Sequence, residues 1–252
     1  MNSLGLAALF AVAALAYASA GLGGGSAYGA ILGLAGFEQH LHKTLAHGCN
    51  LVVVVGAMVI FVRKGVVPWK LALPLAALSM PLVIVGAKWV ELPYPVFRRA
   101  LALGLLVSAA ALFLRGAAST TSEVAPRSTM KLGPYLLAPV CGLISGVTGI
   151  GGGIFLAPAL HLMRAAPPAG IAATASFFIL CNSLVGLFAQ FSLLDGTARS
   201  SLVASHWMLP VGVFVGGQIG SRLAAGQAYE GMVRWITALV VTIAGLKILL
   251  LG

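Results

Sequence analysis

Long apolar runs, separated by short polar clusters, set the layout of this chain. The runs cover about 4–20, 27–37, 48–61, 69–85, 96–114, 132–148, 154–163, 171–191, 205–223 and 229–251. Most are near the ~20 residues that carry an α-helix across a hydrocarbon core of ~30 Å. The apolar positions run continuously and do not alternate, which disfavours a β-barrel. Two runs are broken by glycine, at Gly21, Gly23, Gly24 and Gly25 and at Gly149, Gly151, Gly152 and Gly153. Glycine inside a helix loses packing and adds backbone entropy, so such clusters imply a close approach or an angle that other residues resist. Around each break the run is too long for one ordinary span and too short for two. A helix followed by a half-membrane segment fits, with the irregular backbone hidden by protein or a wet cavity.

The two breaks recur at an offset of about 130 residues, as do Thr44 with Thr174 and Cys49–Asn50 with Cys181–Asn182. The pattern reads as a duplication: a first repeat over 1–116, a polar linker over 117–131 and a second repeat over 132–252. The fold expected is an all-α polytopic membrane protein. It has about eight transmembrane helices in two homologous halves, each with a glycine-interrupted hydrophobic segment. An even number of crossings per half makes the repeats parallel, an odd number makes them inverted; the spacing leaves both open. Basic residues divide almost evenly between the two sides of an eight-span count. They lean only slightly to termini and central linker in the cytoplasm.

Composition agrees with the runs. Of 252 residues, 60% are hydrophobic and 8% charged, against roughly 25% charged in soluble domains, and the mean hydropathy is +1.04. The formal charge of +10 would point to nucleic acid in a soluble protein. Here the charges punctuate spans, so anionic lipid and the positive-inside effect account for part of it, and no nucleic-acid partner is expected. Cys49, Cys141 and Cys181 stand in apolar surroundings without metal or redox spacing and read as small buried residues.

Candidate chemistry is sparse. The second glycine cluster runs into Ile154–Phe155–Leu156 instead of the Lys-Ser/Thr of a phosphate loop. A bend that exposes backbone N–H groups, with a short helix aimed at the same spot, can hold an anion without a buried cation. Tight packing of small residues is the plainer account. Asn50 and Asn182, inside apolar spans, are expected to face the protein interior, with Thr44 and Thr174 at the entrances to the same spans. The polar stretch 38–47 reads as an interfacial turn; His40, His42 and His47 share no single helical face and have no Cys or Asp to complete a metal set. No nucleophile–base team is visible, so no enzyme is expected, and no cofactor. Coupling to a proton or another ion stays open.

These residues resemble the sulfite exporter TauE/SafE family of membrane transporters. The likeness lies in GLISGVTGIGGGIFLAPALHLM from Gly142, ATASFFILCNSLVGLF from Ala173 and, in the first half, SAGLGGG from Ser19. The resemblance implies a permease in the cytoplasmic membrane for sulfite or a small organosulfur anion. Its substrate-lining residues would be Gly23, Gly24, Gly25, Thr44, Asn50, Gly149, Gly151, Gly152, Gly153, Thr174 and Asn182. An anion channel of the same fold and a non-transporting membrane scaffold are the alternatives. The first half departs from the family pattern at His42–Lys43–Thr44, where the approach is usually apolar.

Overall fold

The computed structural model describes residues 3–19, 23–118 and 132–224, and within the last segment 235, 239, 242–243 and 245–250. Gly21, most of the linker and most of the final expected span lie outside the described residues. The rest is helical, and no strand occurs among the described residues. The helices are α1 (Ser3–Ser19), α2 (Gly25–Leu34), α3 (Gln39–Arg63), α4 (Trp69–Lys88), α5 (Tyr94–Ala118), α6 (Gly133–Thr148), α7 (Gly153–Leu162), α8 (Pro168–Leu193), α9 (Gly196–His206) and α10 (Met208–Ala224). By length and composition α3, α4 and α8 can each cross a membrane alone, while α1, α2, α6 and α10 are shorter apolar helices. A multi-helix apolar chain of this kind is a membrane protein.

Both glycine clusters break a helix, as expected. Each separates a helix of 16 or 17 residues from one of 10. The break also turns the chain back. Phe10 of α1 stacks on Tyr28 of α2 at 4.9 Å, and Phe37, just beyond α2, lines one cavity with Ser3 and Leu6 at the start of α1. On the other pair, a Cβ at Gly133 would stand 2.9 Å from Met163 Cε, so α7 ends where α6 begins.

The polar stretch read as a turn is instead the opening of α3. Its His42, Lys43, Thr44 and His47 are buried, because their side chains point into the bundle and not to the interface. Beyond the expected spans, α9 is a short helix rich in Ser, Thr and charged or polar side chains, and it ends in His206, which meets Phe37 edge to face at 5.4 Å.

Glycine seams hold the helices. Gly212, Gly216 and Gly220 of α10 face the carbonyls of Ala7, Ala11 and Leu15, so α1 and α10 lie side by side in the same direction. Gly142 and Gly146 of α6 face the carbonyls of Ser79 and Val83, which sets α4 and α6 parallel in the same way. Without a hydrophobic drive between helices in lipid, such close backbone contact supplies the attraction. In contrast, α3 and α8 run antiparallel. His40 Nδ1 lies 3.2 Å from Gln190 Oε1, His47 lies against Gly186, and Val66 beyond α3 approaches Gly170. Cys49 and Cys141 are buried and Cys181 half-buried, all as free thiols.

Candidate functional site

The two glycine breaks meet at the centre of the bundle. A Cβ on Gly25 would lie 2.5 Å from the carbonyl oxygen of Ile150, so the start of α2 touches the loop between α6 and α7. Asn50 of α3 is wedged at this junction. Its Nδ2 donates to Ile150 O at 3.3 Å, and its carboxamide bounds the space around Gly23, Gly25 and Gly151. Ile179 and Ser183 of α8 close the other side of Gly151.

Backbone angles explain the glycines here. Gly24, Gly149, Gly151 and Gly152 all have φ between 73° and 87°, a left-handed region that a Cβ resists. Gly24 and Gly152 serve as the N-caps of α2 and α7, and neither helix has a side-chain cap. At the start of α7 the N–H groups of Gly153 and Phe155 turn instead to the carbonyls of Gly151 and Gly152, and each helix start carries about half a positive charge.

Not every expected residue reaches this junction. Gly23, Gly25, Asn50 and Gly151 are brought together. Gly153 packs on Ile179 and the Ala175 carbonyl, Gly152 on the Cys141 carbonyl and Phe178, and Gly24 on its own helix's Tyr28. Gly149 sits against Lys43, its missing Cβ 3.1 Å from Lys43 Cα. Asn182 is buried and turns to α4, where its Oδ1 accepts from Ser79 Oγ at 2.6 Å. The threonines stand apart. Thr44 Oγ1 donates to His40 O at 2.7 Å and Thr174 Oγ1 to Gly170 O at 2.8 Å. Those bonds leave neither hydroxyl a hydrogen to give an anion, and Thr44 borders an apolar groove beside Leu184 and Phe188.

Several buried polar atoms have no protein partner: Asn50 Oδ1, Asn182 Nδ2, Ser183 Oγ and both ring nitrogens of His42 and His47. Leaving such a group unmatched costs about 1–3 kcal/mol, so each of these atoms calls for a water or a ligand as its partner. Ser183, Lys43 and His47 do not stand out as site residues from the sequence. The available signal is a lysine and two histidines in a stretch that continues, without a helix breaker, into an apolar run. No group of three or more metal-ligating side chains occurs among the described residues.

Discontinuous helices meeting inside an apolar bundle, around a few buried polar groups, are the arrangement of a membrane transporter. Residues 6–248 match the family described as Sulfite exporter TauE/SafE, and the chain belongs to it. It is also 32% identical, over 98% of both chains, to a protein of Sinorhizobium fredii (strain NBRC 101917 / NGR234) named "Probable membrane transporter protein y4hK". No solved structure matches it.

Proposed function

We propose that this protein is a secondary carrier of the cytoplasmic membrane for a small anion, sulfite or an organosulfur anion. The observation that supports it best is the junction of the two breaks. There the start of α2, the Ile150–Gly151 bend that leads into α7 and the Asn50 carboxamide converge on one buried place. Helix starts and amide donors stabilise negative charge without closing the site with a fixed salt bridge. Gly23, Gly25, Asn50 and Gly151 line this place, with Gly24, Gly149, Gly152 and Gly153 shaping the backbone around it. Asn182 lies one helix face away, and Thr44 and Thr174 stand apart from it.

The halves are read as inverted repeats. The equivalent helices α3 and α8 run in opposite directions, and each break returns the chain to the side it came from. Counting the expected final span, eight longer helices then accompany the half-helices α2 and α7 and the short α9, and α5 ends and α6 begins on the face opposite the start of α1. Arg63, Lys64, Lys70 and Arg164, with Arg115 and Arg222 near the ends of α5 and α10, lie toward that face, against Lys88, Arg98, Arg99, Arg199 and Lys247 toward the other. The positive-inside rule then favours a cytoplasmic linker and an N-terminus outside. That differs from the common side favoured by the sequence, because the turned-back half-helices change the parity of crossings.

Counterflow in proteoliposomes tests the function. A carrier exchanges labelled sulfite or an alkanesulfonate saturably; conductance faster than conformational cycling would mean a channel, and absence of flux for every anion a scaffold.

A further inference from the structure

Lys43 is a cation buried inside an apolar bundle. Its side chain is 1% exposed, and it sits one helical turn into α3, against the left-handed Gly149. Its ammonium lies over the Phe97 ring, 5.6 Å from the centroid. No carboxylate among the described residues reaches ion-pair distance of it. Glu91, in the α4–α5 connection, acts on it only through its field. A face-on aromatic softens the burial of a cation but does not replace a counter-ion. Along the same face of α3 follow His47, at i+4, and Asn50, at i+7. Both are buried with unmatched polar atoms. The stripe runs from the Lys43 ammonium to the junction of the breaks, ~10 Å further along the helix.

Resting on the anion-carrier reading above, we propose that Lys43 is the counter-charge that the transported anion meets on its way to the junction. His47, through a ring N–H, and Asn50, through the second hydrogen of its Nδ2, hand the anion on by hydrogen bonds. A buried charge without a fixed partner discriminates strongly, because a neutral solute leaves it unpaired and an anion does not.

The test compares wild type, Lys43→Met and Lys43→Arg, with Lys88→Met at the end of α4 as a control cation. Purified protein is titrated with sulfite and methanesulfonate, and counterflow is measured in liposomes. Lys43→Met is expected to weaken binding of both anions at least tenfold and to raise the half-saturating concentration for counterflow. Lys43→Arg is expected to stay within a few-fold of wild type, and Lys88→Met to be unchanged. Unaltered affinity in Lys43→Met overturns the role of Lys43 while leaving the carrier reading standing. Failure of wild type to bind or move any anion overturns both. Should Lys43→Met not assemble, wild type is treated with a small amine-acylating reagent and the site read by mass spectrometry. Bound methanesulfonate is expected to protect Lys43 at least several-fold, and equal labelling with and without the anion refutes the proposal.

Discussion

Gly152→Ala and Gly36→Ala form a matched pair. Gly152 has φ 73° and Gly36 has φ 74°, so an alanine in either meets the same left-handed penalty, roughly 1–2 kcal/mol. Their surroundings differ. Nothing lies within 4 Å of a Cβ on Gly36, whereas one on Gly152 would stand 2.7 Å from the Cys141 carbonyl oxygen and 3.1 Å from Phe178. That carbonyl belongs to α6, which Gly142 and Gly146 hold against α4, so it cannot retreat without opening the seam. Overpacking of this kind costs about 1–3 kcal/mol more. At about 2–4 °C per kcal/mol for a chain of this size, Gly36→Ala should lower the melting point by about 2–8 °C. Gly152→Ala should lower it by a further 2–12 °C or so. Thermal unfolding in detergent, followed by intrinsic fluorescence, measures both, and titration with sulfite is run on each. Gly36 lies away from the junction, so its variant should bind like wild type, whereas Gly152→Ala should bind more weakly because α7 shifts. Equal melting points and equal affinities for the two variants would refute the claim that the start of α7 is fixed by contact with α6.

Asn50→Ala, which removes the carboxamide between Gly23, Gly25 and Gly151, should weaken anion binding by about 10–100-fold, the range of one hydrogen bond to a charged group. Asn50→Asp should be worse, since it sets a negative charge beside the anion; isothermal titration separates the two. Asn182→Ala should weaken binding less than Asn50→Ala, because its Oδ1 already serves Ser79, and the same titrations check the order. Thr44→Val should leave affinity within about twofold, since the hydroxyl hydrogen is held by His40 O and costs the anion nothing to lose. Gly216→Leu should abolish folded protein, judged by size-exclusion profile, because its Cβ would occupy the place of the Ala11 carbonyl. Reporters at the N-terminus and within 119–131 should report opposite sides of the membrane, and a shared side would remove the inverted arrangement.

The membrane character, the helical class and both glycine breaks were legible in the sequence because each is a local property. Run length against bilayer thickness needs no partner, and glycines packed so densely disfavour a continuous helix whatever surrounds them. Asn50 was recognisable for the same reason, as a carboxamide in hydrocarbon that must find company. The direction of each helix was not legible. A run of Leu, Val and Ala reads alike in both directions, so only contacts such as His40 with Gln190 and Ala11 with Gly216 decide that α3 opposes α8 and α1 follows α10. The fate of 38–47 was hidden too. A polar cluster between apolar runs looks like a wet turn, and it becomes the buried opening of α3 only because the Gly149 bend, Phe97 and Gly186 pack around it. Separating Thr44 from Asn50 likewise needed the tertiary structure: six residues along a helix change both depth and face, and the neighbouring helices determine which of the two side chains meets the junction.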